Sequence, residues 1–451
     1  MANGSGLDAI EHVVVLMLEN RSFDHMLGFL YEGNVSPLGQ PFDGLAGTES
    51  NPGSNGQPVT VFRIEHDTPN AYYMPGSDPG EGYMATNNEL YGSIKGPASP
   101  GQAATSRGFV TDFGYTLGWQ SKEPSQWPIV PGTVEGNIMG CYTPDALPVL
   151  SALATGYAVC DQWFASVPTE TLPNRAFACA ATSQGHMDDK THTFTSPTIF
   201  GLLGAANLGW AIYGYDKEPL TKNTFTEISS ADASHFGQFT DFQAAAAAGT
   251  LSPYTFLEPS WDSSGNSQHP NYDVALGEKL IHDVYEALRA GPGWPGTLLV
   301  VTYDEHGGCF DHVPPPWGAV PPDNNAGEFG FGFDRFGVRV PTVLVSPLIE
   351  SGTVYRAPAG GTPLDHTSVL KTVEQRWKLP TLTERDAAAP GFGGVLTRST
   401  PRTDDVLAGV TLPVSSGAAP AAGTVSHLES VQAELISRRL PAGVSHLPSR
   451  A

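Results

Sequence analysis

Two places in the chain set a doubled polar pair directly behind a run of apolar residues. "HVVVLMLEN" ends in Glu19 and Asn20, and "GTLLVVTYDEHGG" passes from the apolar run at 298–303 to Asp304 and Glu305. Runs of this kind read as strands buried on both faces in a parallel sheet. In open parallel sheets, ligands bind beyond the carboxyl ends of the strands. If these two strands are neighbours, three carboxylates and an amide meet at one point. Like charges so placed must be protonated or neutralised by a cation. The donors are all oxygens, which suits Ca²⁺, Mg²⁺ or Mn²⁺ better than Zn²⁺. One acidic strand end would be no more than a helix cap or a turn. Two doubled pairs shift the balance toward one divalent ion held by Glu19, Asn20, Asp304 and Glu305.

A nucleophile candidate lies in "SVPTETLPNRAFACAATSQG". Thr171 stands just ahead of Pro173, and the stretch 176–183 reads as helical, so its hydroxyl sits at or just before a helix N-terminus. Backbone N–H groups there form an anion site. Taken alone, such a threonine is an ordinary N-cap. Beside a metal ion its proton leaves far more readily. Attack on a phosphoryl centre, where catalysis rests on positioning and charge stabilisation, then becomes the fitting chemistry. His269 in "SQHPNYD" and His366 in "DHTSVL" each precede a helical pattern and could hold a phosphate oxygen or protonate a leaving group. The chain has 13 histidines, so most must be structural or exposed.

The elements that must position these groups alternate. A third apolar run, "VPTVLVSPLI" at 340–349, follows the other two, and helical patterns lie between them. "DALPVLSALATGYAVCDQWFA" is one; "YDVALGEKLIHDVYEALRAGPGW" has clear 3.6 spacing and stops at Gly291; "HTSVLKTVEQRWKLP" ends before Pro380. The expected fold class is therefore α/β, a mostly parallel central sheet with helices on both faces. Residues 31–108 and 215–268 read as long loop insertions without a core of their own. The alanine run at 244–248 falls in the second and ends at Gly249. Residues 8–405 are expected to form a single domain. Residues 406–451 are read as a linker, "SSGAAPAAGTVS", and a C-terminal helix, "HLESVQAELISRRL", docked on the body.

Composition bounds the partners. The 451 residues carry 23 Lys plus Arg against 46 Asp plus Glu, a formal charge of −23. Such a surface repels nucleic acid and anionic membranes. The four cysteines show no C-x-x-C spacing and are expected as buried free thiols. The opening "MANGSGLDAIEH" is acidic, and the run at 13–18 is too short for a leader or a membrane span. The chain as given reads as soluble and cytoplasmic with no transmembrane segment. Secretion after removal of a leader stays open, and no protein partner is indicated.

At this point the motifs resemble a known family. "ENRSFDHMLGF", "ALATGYAVCDQWFASVP", "TLPNR", "TYDEHGGCFDHV" and "FGVRVPTVLVSP" are similar, in order, to the phosphoesterase family of non-specific phospholipases C and related bacterial acid phosphatases. The resemblance extends from about residue 10 to residue 404, and it is nearest the plant-type phospholipases. It implies an alkaline-phosphatase-like core, one divalent metal, and a phosphothreonine intermediate on Thr171, which would also be a metal ligand. By the same resemblance His269 contacts the phosphoryl group, and Asn174, Arg175 and His366 are substrate- or phosphate-binding. Glu81 of "DPGEGY" stands where the family often has a histidine. It is a candidate for reading a cationic headgroup or recruiting a second cation, or it is a solvent-facing loop residue. Thr169 and Glu170 likewise replace a glycine and a small residue. The implied substrate is a phospholipid, cleaved to diacylglycerol and a phosphorylated headgroup. A small phosphoester, phosphotransfer to an acceptor alcohol, and metal binding without turnover are the rival readings.

Overall fold

The computed structural model describes residues 6–415 and 425–439. Its centre is an eight-stranded sheet built from β1 (His12–Leu18), β2 (Ala158–Val159), β3 (Trp210–Gly214), β4 (Phe236–Gln238), β5 (Tyr254–Leu257), β6 (Thr297–Tyr303), β7 (Thr342–Val345) and β8 (Thr353–Val354). The spatial order is β8-β2-β7-β6-β1-β5-β3-β4. The strands run parallel except for β7, which is antiparallel to both β6 and β2. All seven residues of β6 are buried, so both faces of the sheet are covered. Each fully buried valine or leucine in these strands contributes about 1.5–3 kcal/mol. The expected α/β class with a mostly parallel sheet is what the chain forms.

The helices pack in two sets. Pro148–Gly156 and Val274–Ala290 contact one another, and Val274–Ala290 also meets Phe239–Ala248; a second set joins Thr171–Ala180 with Thr367–Trp377. The spacing in Val274–Ala290 buries Val274, Leu280, Ile281, Val284 and Leu288 on one face, and Asp273 caps its start through Ala275 N–H. All four cysteines are buried and free.

Two regions differ from expectation. The segment 31–108 joins a small separate core with Phe29, Val61, Phe109, Phe113, Met139 and Phe310. Its apolar residues are single and scattered among Gly and Pro, so they form a cluster only once helix Phe109–Gln120 folds over them. The segment 215–268, read as an insertion, contains β5, which pairs with β1. "YTFL" is four residues long between Pro253 and Glu258, too short for a periodic signal. At the C-terminus, Leu428, Val431 and Leu435 of helix His427–Arg439 are buried in one cluster with Leu172, Leu220 and Trp261. Most of the preceding stretch read as a linker lies outside the described residues.

Candidate active site

β1 and β6 are adjacent and parallel, with Leu18 in register with Tyr303. The two acidic pairs therefore leave the sheet at the same level. Asn20 turns the chain with a left-handed backbone, φ 57°, a conformation that Asn tolerates better than most side chains. Its N–H donates to Asp304 Oδ1 at 3.0 Å. Gly307 closes the other side: at φ +61°, an added Cβ would lie 2.1 Å from the Asn20 carbonyl oxygen, so glycine is required twice over.

Thr171 is the first residue of helix Thr171–Ala180, and its hydroxyl does not cap that helix. It donates instead to Asn20 Oδ1 at 3.1 Å. The N-terminal anion site expected there is partly consumed. Asp189 Oδ1 accepts the Leu172 N–H at 2.6 Å, and Pro173 has none to give. Arg175 donates from Nε to Asp304 Oδ2 at 2.9 Å and from Nη2 to the carbonyls of Met17 and Leu18. Its guanidinium lies 4.5 Å from the Trp261 ring centroid.

The four acidic-pair residues are almost fully buried: Glu19 is 2% exposed and Asn20, Asp304 and Glu305 are 0%. Burial pushes Glu19 up to about 7 and Glu305 up to about 6, against ordinary values of 4.5. Glu305 Oε2 accepts the Gly307 N–H at 2.7 Å and lies 3.1 Å from His306 Nδ1, while Oε1 is buried without a hydrogen-bond partner. An orphaned carboxylate oxygen at the end of β6, with Glu19 and the Asn20 amide at the end of adjacent β1 and the Thr171 hydroxyl on Asn20, offers oxygen donors of the kind a hard divalent ion takes.

A second cluster adjoins the first. Asn20 Nδ2 donates to Glu81 Oε2 at 2.6 Å. His269 Nε2 lies 3.9 Å from Glu81 Oε2 and 4.0 Å from Asp78 Oδ1. Among the described residues, Asp78, Glu81 and His269 form one of the groups whose donor atoms all lie within 4.8 Å of one another. Burial opposes charge on His269, but the Asp78 and Glu19 carboxylates outweigh it and raise the imidazole above its usual value. Burial first, then the Asp78 and Glu305 carboxylates, push Glu81 well above the usual carboxylate range.

These groups face a cavity of about 790 Å³ whose walls include Glu19, Glu81, Thr171 and His269. Three residues expected to bind substrate have other tasks in this structure. The Asn174 amide is spent on the backbone of Val167, Thr169 and Glu170, because it lies buried behind the turn that presents Thr171. Arg175 braces Asp304 and the end of β1. His366 Nε2 makes a 2.6 Å hydrogen bond to the Asp304 carbonyl from beneath, and burial lowers its pKa. Arg175 and His366 position the ends of β1 and β6, and Asn174 the turn before Thr171. Sequence reasoning missed Asp78, Asp189, Trp127, Tyr272 and the cavity-lining residues Ser426 and His427 from the C-terminus. Asp78 and Tyr272 lie in stretches quoted above for Glu81 and His269, and His427 opens the C-terminal helix; only the fold shows that they share one wall.

Residues 10–380 match the Phosphoesterase family. The chain is 37% identical over 414 residues to non-specific phospholipase C6 of Arabidopsis thaliana, covering 88% of this chain and 74% of that protein. It is 36% identical over 420 residues to non-specific phospholipase C4 of the same plant, covering 89% and 74%. With phospholipase C A of Mycobacterium tuberculosis it shares 28% identity over 421 residues, covering 83% and 74%. Among solved structures it is similar to a protein of the alkaline phosphatase superfamily from Vibrio parahaemolyticus, with a TM-score of 0.33 and 13% identity, covering 54% of this chain and 64% of that one.

Proposed function

The chain belongs to the Phosphoesterase family and is a hydrolase of phosphoester bonds; from that premise we propose a phospholipase C-type reaction through a phosphothreonine intermediate on Thr171. The observation that carries it is the Thr171 hydroxyl, uncommitted to capping, on the cavity wall and 3.1 Å from Asn20 Oδ1. Thr171 Oγ forms the new bond to phosphorus while the bond to the glycerol oxygen breaks. The leaving oxygen takes a proton from His269, whose charged form the Asp78 and Glu19 carboxylates favour against burial, and diacylglycerol departs. The Thr171 proton leaves to solvent on attack; water then attacks phosphorus, giving a proton back to His269, and the threonine oxygen leaves, regaining its proton from solvent and releasing the phosphorylated headgroup.

Glu19, Asn20, Asp304, Glu305 and Thr171 would hold the divalent ion. Bound there, it would lower the pKa of the Thr171 hydroxyl and offset charge on the phosphoryl oxygens. Arg175 and His366 keep Asp304 in place, so neither needs to touch substrate. The relatives named as phospholipases C support a phospholipid substrate.

The test is product analysis after incubation with phosphatidylcholine and, separately, p-nitrophenyl phosphate, with Ca²⁺, Mg²⁺, Mn²⁺ or a chelator. Diacylglycerol release that stops on chelation, with the phosphorylated headgroup trapped on Thr171 after acid quench, is the expected result. Release of phosphate from the monoester alone makes this a phosphomonoesterase. Diacylglycerol release at an undiminished rate by Thr171→Ala removes the nucleophile assignment.

A further inference from the structure

A group of nitrogen and oxygen donors outside the Thr171 site draws its two histidines from one short loop. Among the described residues, His186, His192 and Glu328 each place one donor atom within 4.8 Å of the other two. The stretch "HMDDKTH" sets the histidines at H-x₅-H, inside the spacing that zinc-binding loops use. Their rings stack with centroids 3.7 Å apart and planes 18° from parallel. Glu328 Oε1 lies 3.4 Å from His186 Nδ1. That is long for a hydrogen bond, and it matches the edge, roughly 3.4 Å, of a tetrahedron of ligands about 2.1 Å from zinc. Asp188 Oδ1 lies 2.9 Å from His192 Nε2, as the carboxylate partner of a metal-bound imidazole does. The His186 and Glu328 side chains are 34% and 38% exposed, so an ion from solvent can reach them.

The cluster is fastened to the turn that presents Thr171. Glu328 Oε2 accepts the Met187 N–H at 2.8 Å, and the Glu328 N–H donates to the Gly185 carbonyl at 2.9 Å. Between the two histidines, three hydrogen bonds cross to residues on either side of Thr171. The Met187 carbonyl accepts the Thr169 hydroxyl at 2.7 Å, Asp189 Oδ1 accepts the Leu172 N–H at 2.6 Å, and the Asp189 N–H donates to Glu170 Oε2 at 2.5 Å. An ion joining His186 and His192 to Glu328 would clamp both ends of this loop. Two imidazoles and a carboxylate select a borderline ion such as Zn²⁺ or Cu²⁺ over Ca²⁺ or Mg²⁺. The all-oxygen donors at the ends of β1 and β6 have the opposite preference.

We propose that His186, His192 and Glu328 form a second metal site, for a divalent transition-metal ion of the zinc and copper class, and that the bound ion braces the loop behind Thr171. The ion at this site is separate from the one held at the strand ends. It touches neither substrate nor nucleophile, and it acts by holding residues 186–192 against the turn at 169–172.

The test uses the full chain in excess Mg²⁺ with Zn²⁺ and Cu²⁺ as probes. It reads neither lipid nor turnover, so its outcome is separate from that of the phospholipase C reading. In equilibrium dialysis the parent should retain one more zinc per chain than the double variant His186→Gln/His192→Gln, and the two should melt at the same temperature without zinc. Electron paramagnetic resonance of the copper-loaded parent should show nitrogen couplings from two imidazoles, which the double variant loses. Asp188→Asn keeps all three ligands and should weaken zinc binding on the order of tenfold. Zinc should also slow hydrogen exchange at the Met187, Asp189 and Leu172 amides in the parent and not in the double variant. Equal zinc retention by parent and double variant, or a copper spectrum with a single imidazole, overturns the site. Zinc held by the histidines with exchange at those amides unchanged overturns the brace.

Discussion

The same two sequence motifs build two buried charge clusters with opposite characters. "ENRSFDH" supplies Glu19 and Asn20 to one and Asp24 to the other; "DEHGGCFDHV" supplies Asp304 and Glu305 to one and Asp311 and His312 to the other. In the second cluster every acid is answered. Arg339 Nη2 meets Asp24 Oδ1 at 2.8 Å, and its Nε meets Asp311 Oδ1 at 2.9 Å. His312 Nδ1 lies 2.6 Å from Asp24 Oδ2, and the remaining Arg339 donors reach the Asp43 and Asp161 carbonyls. In the first cluster Arg175 reaches only Asp304, Glu305 Oε1 has no partner, and Glu19 is held above its ordinary pKa by burial. Buried charge closed by arginine is scaffold; buried charge left open marks the place where a cation and a phosphoryl group are to be received.

The sharpest way to break this contrast is to remove the nucleophile while every charged group of both clusters stays in place. Thr171→Ala should lower kcat on the order of 10³-fold or more, with the unfolding temperature unchanged, because the hydroxyl makes a single hydrogen bond to Asn20. Steady-state turnover beside a thermal melt settles it. Next in size, Arg339→Met leaves Asp24 and Asp311 buried without their counter-charge. It should cost about 3–5 kcal/mol in denaturant unfolding, and a loss below about 1 kcal/mol would mean that the second cluster is not the scaffold described here.

Chelation probes the open cluster. Removing the divalent ion should abolish turnover and lower stability by about 3 kcal/mol relative to protein with ion at roughly a hundredfold over its Kd. The Arg339 cluster predicts no ion dependence of its own. The smallest effect carries the most diagnostic sign. Glu19 has a folded-state pKa of about 7 against 4.5, so its contribution to stability is greatest at low pH and is lost as pH rises from 4.5 through 7. Glu19→Gln in metal-free protein should therefore raise stability by about 1–3 kcal/mol at pH 8 and leave it unchanged at pH 4. Destabilisation at pH 8 would show that the first cluster is as well compensated as the second.

Much of this was legible in the chain. Strands β1 and β6 declared themselves through long apolar runs, and the polar pairs behind them marked the carboxyl end of the sheet. Helices with a full apolar face and a clear stop, such as Val274–Ala290, were equally plain. What escaped was short or tertiary. β5 has four residues, and the antiparallel direction of β7 depends on a connection whose path no local pattern encodes. Asn174, Arg175 and His366 sit in strong motifs, yet a motif does not say which way a side chain faces; the packing turned them toward backbone carbonyls and Asp304. The carboxylates at Asp78 and Asp189 lie in loops, beside Glu81 and Asp188 in sequence, and only their arrival at one wall gives them meaning.

Asn20 carries a consequence for how this protein can vary. Its left-handed backbone admits glycine readily and aspartate with little strain, while its position asks for an amide whose oxygen faces Thr171 and whose nitrogen faces Glu81. Glycine satisfies the turn and loses the chemistry; glutamine keeps the amide and strains the turn. A saturation library at this codon should thus sort into a folded, inactive class led by Gly and Asp and a poorly folded remainder, leaving the parent residue alone in the active class. The position is locked by two independent demands, and no single-residue path leads away from it without forfeiting one.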